Sequence, residues 1–382
     1  MANLLDYVQW RGDLSYTQDA FNEVDNLIFS QLIYLPFDGI EACRESGSGI
    51  RMDQLESELV AHRVPREGKN RDKYEIQMNK LMLLCANSVR FRNVRIRNYV
   101  NILDSQRAEQ FCAAVFSLSD RLHYIAFRGT GDLLVGWKED FMMSFRSEVP
   151  AQRQAVEYVN NALRLLKGNC YFGGHSKGGN LAVYAAIHLK RSARKRVLGV
   201  YSNDGPGFQP EVIALDGYLS MKEKIHTYMP QSSVVGILLE HSEEYTVVSS
   251  TNTGAKQHKA LSWEVKGNRF VYEKELTKNS RTLDIALRSW LGQIPDGEKE
   301  QFVNAIFELL DKTGARTFSE LSESRLKKAE RMIRAYKTMD SETQGLLKNV
   351  LQTFFREKKK IQKELAGHVS MQLAEELRTA EA

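Results

Sequence analysis

A serine with a glycine two positions away on either side stands at Gly174-His175-Ser176-Lys177-Gly178. A serine hydroxyl becomes nucleophilic when a base takes its proton and an acid orients that base. The Gly-x-Ser-x-Gly spacing suits a sharp strand-to-helix turn, because residues without Cβ let backbones pass close together. The context agrees. Cys170-Tyr171-Phe172 leads in as an apolar strand, and Gly179-Asn180-Leu181-Ala182 opens an alanine-rich run that reads as a helix to Arg191. The first amides of such a helix carry free N–H groups and positive partial charge where an oxyanion would form. The implied chemistry is acyl transfer through Ser176.

On such a turn the chain order of the reacting groups is serine, acid, histidine. His258 follows the strand-like Tyr245–Ser250, in the polar loop beginning Thr251-Asn252-Thr253-Gly254, where the last strand would deliver a base. His241 is the second choice. His188 is too close to the serine in sequence, His226 lies inside a strand, and His368 belongs to a helical region. His175 reads as packing behind the turn. The acid candidate is Asp204, which ends the strand Val197–Ser202 and precedes Gly205-Pro206-Gly207. The commoner place for the acid, one strand later, reads Pro230-Gln231-Ser232-Ser233 and holds no carboxylate. Asp204 is therefore favoured by elimination, with Asp216, Glu240 and Glu243 as alternatives. Its competing role is a plain turn, since Asp-Gly is a strong turn signal. An oxyanion hole needs two N–H donors. The amide of Lys177 supplies one, and Thr130, in the Gly129-Thr130 that follows a strand, supplies the other.

This chemistry needs no metal and no organic cofactor. The four cysteines, Cys43, Cys85, Cys112 and Cys170, lie far apart and make no zinc-ligand spacing. Net charge is +5, with the basic residues spread along the chain, so nucleic acid is not an expected partner. The N-terminus carries charges at Asp6, Arg11 and Asp13, which is unlike a signal peptide. No apolar run approaches the ~18 residues of a membrane span. A cytoplasmic location without a transmembrane segment is the expectation.

The surrounding elements must position these residues. A helix is predicted over 20–35, stopped by Pro36. Residues 40–90 read as a helical insertion, with a loop at 63–69 and a helix over 75–88 that is either a cap over a pocket or a support. Strands are predicted at 94–100, 110–118, 122–127, 170–175, 197–202, 224–229, 245–250 and 261–272, with a helix over 152–166. Strands alternating with helices argue for an α/β fold with a mostly parallel central sheet and flanking helices. Ligands then bind at the carboxyl ends of the strands. Thr130, Ser176 and Asp204 all lie at such ends. From about residue 280 only helices are predicted, over 281–293, 297–312, 323–338 and 341–366, the last opened by a Ser341/Gln344 capping box. The domain reading is 1–278 and a helical C-terminal appendage over 279–382.

Ala126-Phe127-Arg128-Gly129-Thr130 followed by Gly174-His175-Ser176-Lys177-Gly178 resembles the class 3 lipase pattern of the α/β-hydrolase superfamily. A closer resemblance is to a bacterial family of Mbeg1-like proteins. It rests on Trp10-Arg11-Gly12-Asp13-Leu14, Phe21-Asn22-Glu23-Val24-Asp25, Val135-Gly136-Trp137-Lys138-Glu139-Asp140-Phe141, Asp204-Gly205-Pro206-Gly207-Phe208 and Gln257-His258 with Trp263. It runs from about residue 4 to 275 and leaves the C-terminal helices uncovered. It implies an α/β-hydrolase fold and says little about substrate. The class 3 lipase aspartate, expected near Ser232, is missing. An aspartate one strand earlier is similar to the pancreatic-lipase arrangement.

The expectation is a serine hydrolase, an esterase or lipase-like acyl hydrolase, with Ser176, His258 and Asp204 as the triad and the amides of Thr130 and Lys177 as the oxyanion hole. Its substrate would be a small-molecule or lipid ester. The alternative is a weakly active or inactive hydrolase-fold binding or scaffold protein that engages a protein partner, or itself, through its C-terminal helices.

Overall fold

Alternation along the strands explains how the sheet is buried on both faces. In a computed structural model that describes residues 1–61, 73–317, 320 and 325–380, strand β3 (Glu109–Ser119) sends Phe111, Ala113 and Val115 to one apolar cluster and Cys112, Ala114 and Phe116 to another. Strand β4 (Leu122–Phe127) does the same with Ile125 and Phe127 against Tyr124 and Ala126. A strand with apolar residues at every position is what a sheet covered on both sides requires. The expected loop at 63–69 lies outside the described residues.

Among the described residues nine strands form the main sheet. Before β3 and β4 come β1 (Ile50–Arg51) and β2 (Arg95–Asp104). After them come β5 (Asn169–His175), β6 (Val197–Asn203), β7 (Ile225–Pro230) and β8 (Tyr245–Val248). A separate small hairpin is made by β9 (Val265–Lys266) and β10 (Arg269–Phe270), and β11 (Tyr272–Glu273) returns to the main sheet. The order across the sheet is β1-β2-β3-β4-β5-β6-β7-β8-β11. β4 to β8 run parallel, and the pairs β1–β2, β2–β3, β3–β4 and β8–β11 are antiparallel. This is an α/β architecture, a mostly parallel central sheet with flanking helices. The expected single strand over 261–272 is instead a 3₁₀ turn, Ala260–Ser262, followed by the β9–β10 hairpin, because Gly267 reverses the chain at φ 66°.

The helices Pro150–Leu165 and Lys177–Ile187 bury Ala151, Ala155, Val159, Leu181 and Ala185 on one face of the sheet. The N-terminal helices Leu4–Arg11, Glu23–Leu32 and Lys73–Ala86 bury Leu4, Leu27, Ile28, Phe29, Met78 and Leu81 on the other. A fully buried ion pair pins this second layer. Arg90 Nε donates to Asp25 Oδ1 at 2.8 Å, and both side chains are 0% exposed. Nη2 also donates to Asp25 Oδ2, and the other three guanidinium protons reach the carbonyls of Leu14, Asp19 and Ala20. Tyr7 donates to Asp25 at 2.9 Å, and the Arg90 guanidinium lies 4.3 Å from the centre of the Tyr16 ring.

The chain divides into two compact units. The one just described comprises residues 1–131 and 147–276, and the second comprises 132–146 and 277–382. In the second, the helix Leu134–Met142 and the residues after it pack Leu134, Trp137 and Phe145 against Val303 and Phe307 of the helix Asp296–Asp311. The helices Lys278–Gly292, Arg325–Thr338 and Ser341–Ala380 complete it among the described residues. The last helix is capped one residue earlier than expected. Asp340 Oδ1 accepts the Thr343 amide at 2.8 Å, while the Gln344 side chain turns back to the carbonyls of Tyr336 and Met339. Among the described residues no helix is long and apolar enough to cross a membrane.

Removing one partner of a buried ion pair leaves the other charge uncompensated, at a cost of about 3–5 kcal/mol. Asp25→Ala is therefore expected to lower the urea midpoint of unfolding by a corresponding amount. A midpoint within error of wild type would show that the pair does not pin the N-terminal layer.

Candidate active site

Ser176 sits between β5 and the helix Lys177–Ile187 at φ 57° and ψ −135°. A non-glycine residue in this region is strained by about 1–3 kcal/mol and needs support from its surroundings. The support is a close crossing of backbones. A Cβ on Gly174 would lie 2.3 Å from the Gly178 carbonyl carbon, and one on Gly178 would lie 2.2 Å from the Phe127 carbonyl oxygen. Both glycines of the motif are therefore sterically required. The Ser176 amide is fixed by the Asn203 carbonyl at 2.9 Å.

The loop after β4 runs directly beside the serine. A Cβ on Gly129 would lie 2.4 Å from the His175 carbonyl oxygen and 3.1 Å from Ser176 Cβ. The Gly129 amide donates to the Tyr34 hydroxyl at 3.1 Å, which holds the loop down. Thr130 is next in the chain. Lys177 opens the elbow helix, and its buried ammonium donates to the Gln110 carbonyl at 2.9 Å. That contact directs the Lys177 side chain beneath the turn.

Asp204 follows β6 at φ 51° and is fully buried. Its amide donates to the Tyr228 carbonyl at 2.7 Å. Oδ2 bonds His258 Nδ1 at 2.6 Å, and Oδ1 accepts the Ser233 hydroxyl at 2.5 Å and the Gly236 amide at 3.0 Å. Burial raises the carboxyl pKa, but the His258 hydrogen bond and charge, with the Ser233 bond, outweigh it and hold the group below its ordinary value. His258 ends a 3₁₀ turn, Gly254–His258, with its side chain 27% exposed. Gln257 anchors this turn by accepting the Ser232 amide at 2.6 Å and donating to the Asn252 carbonyl at 3.0 Å. Trp263 Nε1 donates to the Gln257 carbonyl at 2.9 Å.

The structure thus joins Asp204 to His258 and places the Gly129-Thr130 loop against Ser176. Among the described residues no hydrogen bond joins Ser176 Oγ to His258. What connects the base loop to the elbow is His175, whose Nε2 donates to the His258 carbonyl at 2.7 Å and whose ring centre is 4.5 Å from that of His258. Burial, and then the positive charge of His258, push the His175 pKa down to about 3. His175 is therefore a neutral strut.

The alternative candidates lie elsewhere. His241 bonds Glu243 and the Gly236 carbonyl, and Glu240 pairs through its backbone with Phe208. Asp216 begins the short helix Asp216–Met221. His226 lies in β7 with its ring against Tyr201, and His188 ends the elbow helix against Tyr184. Ser233 and Gly236 were not singled out in the sequence as partners of the acid. The one signal was the Pro230-Gln231-Ser232-Ser233 stretch, a strand end with hydroxyls where a carboxylate is commoner.

A family model described as Mbeg1-like matches residues 85–308. Among solved structures, the chain is similar to a fungal lipase in complex with an inhibitor, with 16% identity over 42% of this chain and 68% of that one and a TM-score of 0.33. It is also similar to Rhizomucor miehei lipase in a propeptide complex, with 12% identity over 63% of this chain and 76% of that one and a TM-score of 0.37. No curated protein matches the sequence.

The His175 pKa has a consequence for stability. The unfolded chain protonates this histidine near its ordinary value of 6.5, while the folded chain leaves it neutral down to about 3. Between those limits the unfolded state binds one more proton, so stability falls as pH falls, by about 1.4 kcal/mol per pH unit for this group. Asp204 adds a loss in the same direction at lower pH, as its carboxylate becomes protonated. Urea unfolding across this range should show a slope shallower by one proton in His175→Asn than in wild type. Equal slopes would mean that His175 protonates in the folded state.

Proposed function

The chain belongs to the Mbeg1-like family, and from the elbow at Ser176 and the Asp204–His258 bond we propose that it is a serine hydrolase, an esterase or lipase-like acyl hydrolase. The observation that carries this reading is the 2.6 Å bond from the buried Asp204 carboxylate to His258 Nδ1, with the His258 loop tied through His175 to the elbow that holds Ser176 at positive φ. With Nδ1–H engaged, the imidazole presents Nε2 as a base. Ser176 Oγ attacks the ester carbonyl carbon and its proton passes to Nε2. The tetrahedral oxyanion is received by the amides of Lys177 and Thr130. Collapse expels the alcohol, which takes the proton from His258 and leaves an acyl-serine. Water then attacks the acyl group, gives its proton to His258 and releases the acid, and Ser176 recovers its proton.

The buried, ionised Asp204 keeps the ring in one tautomer and stabilises the imidazolium formed at each step. Catalytic hydrogen bonds tighten in the substrate complex, and this reading has Ser176 Oγ closing on His258 Nε2 when substrate binds. The second reading, a non-catalytic protein working through its C-terminal helices, draws on Leu351 and Phe355, exposed one turn apart on the last helix.

Wild-type protein should react covalently with a fluorophosphonate probe at Ser176 and hydrolyse p-nitrophenyl butyrate. Ser176→Ala should lose both, and Asp204→Asn should lower kcat by about 10³-fold or more. An unlabelled wild-type serine would overturn the enzyme reading in favour of the binding one.

A further inference from the structure

Behind Asp204 lies a second histidine–carboxylate pair. The segment from Ser233 to Glu243 wraps the loop that carries the acid. Besides the Ser233 and Gly236 bonds to Asp204 Oδ1, the Gly207 amide donates to the Leu238 carbonyl at 2.8 Å. Phe208 and Glu240 exchange backbone bonds of 2.8 and 3.0 Å. Residues 233–239 form neither helix nor strand, and Leu239 sits at φ 64°. Beyond these backbone bonds, side chains help fix the segment's path.

His241 and Glu243 supply that fixing. His241 Nε2 donates to the Gly236 carbonyl at 2.8 Å, and Nδ1 bonds Glu243 Oε1 at 3.1 Å. Glu243 is tied to the scaffold by the Thr227 hydroxyl of β7 at 2.5 Å and by the Tyr218 hydroxyl. The side chains are only 7% and 4% exposed, so water cannot replace these bonds readily. Gly236 must be glycine for its amide to come so close, since a Cβ there would lie 2.5 Å from Asp204 Oδ1. One continuous run of bonds thus leads from β7 through Glu243, His241 and Gly236 to Asp204 and on to His258.

We infer that His241, held by Glu243, is a positioning residue for the reaction: it fixes Gly236 so that the Gly236 amide and the Ser233 hydroxyl set the Asp204 carboxylate on His258. This rests on the reading of Ser176, His258 and Asp204 as the reacting set. A loosened carboxylate orients His258 less well and supports its imidazolium less, which lowers turnover while leaving substrate binding intact.

The test combines hydrolysis of p-nitrophenyl butyrate with proton NMR of the His258 Nδ1–H, a far-downfield resonance assigned by its loss in His258→Ala. His241→Ala and Glu243→Gln are expected to move or broaden that resonance and to lower kcat about tenfold with KM within about twofold. His241→Gln, whose amide keeps one N–H for the Gly236 carbonyl, should recover most of both. Variants with wild-type circular dichroism that keep the wild-type resonance and kcat would overturn the inference. If His241→Ala does not fold, an unmoved resonance in Glu243→Gln overturns it equally. If wild-type protein neither labels nor hydrolyses the ester, the enzyme reading fails. The resonance, which needs no turnover, still decides whether His241 positions Asp204.

Discussion

Three stretches of backbone cross at one point with no side chain between them: the end of β4 at Phe127, the end of β5 at Gly174, and the start of the elbow helix at Gly178. This crossing is the constraint on which the site depends. It allows Ser176 to hold a positive φ, and it brings the loop after β4 against the serine. A methyl group at Gly174 or Gly178 would have to displace backbone rather than a flexible side chain, so the geometry is close to all-or-none.

Strain at Ser176 recurs at Asp204, and both are supported in the same way. The Ser176 amide is held by the Asn203 carbonyl at the end of β6, and the Asp204 amide by the Tyr228 carbonyl in β7. Buried amides behind them complete the frame. Asn203 Nδ2 donates to the Gly174 carbonyl at 2.9 Å, and Asn26 Nδ2 donates to Asn203 Oδ1 at 2.9 Å. Asn180 Nδ2 reaches the carbonyls of Pro206 and Gly207, and Gln152 donates to Asn180 Oδ1. A satisfied buried network is rigid because each lost bond leaves a polar group without water. The elbow and the acid loop are therefore held as one body.

Much of the fold is legible in local pattern. The apolar run in β3, the strand-to-helix change around Ser176 and the alternation of strands and helices carry their own periodicity, and periodicity follows from backbone geometry. Less legible were features made by distant residues. The helix Leu134–Met142 belongs with the C-terminal helices because Leu134 and Trp137 meet Val303 and Phe307, a pairing across more than a hundred residues that no local period records. The cap of the last helix falls on Asp340 rather than Ser341 because two competing oxygens, both good caps, are separated only by where the helix axis begins.

In the site the division is similar. The residue types and the glycine spacing by themselves pointed to Ser176 on a tight turn, Asp204 at a strand end and His258 in the loop after a later strand. Only the tertiary structure decided which carboxylate meets which histidine. Asp204 with His258 and Glu243 with His241 are both possible chemically, and residues 204 and 258 are far apart in the chain. Three-dimensional packing sets that distance, through the order of β5, β6 and β7 and the Gln257–Trp263 anchor. It also decided that a strand end lacking a carboxylate contributes instead the Ser233 hydroxyl and Gly236 amide that hold the carboxylate of its neighbour. Hydrogen bonds depend on ångström-scale position, and sequence spacing specifies that only within a single element.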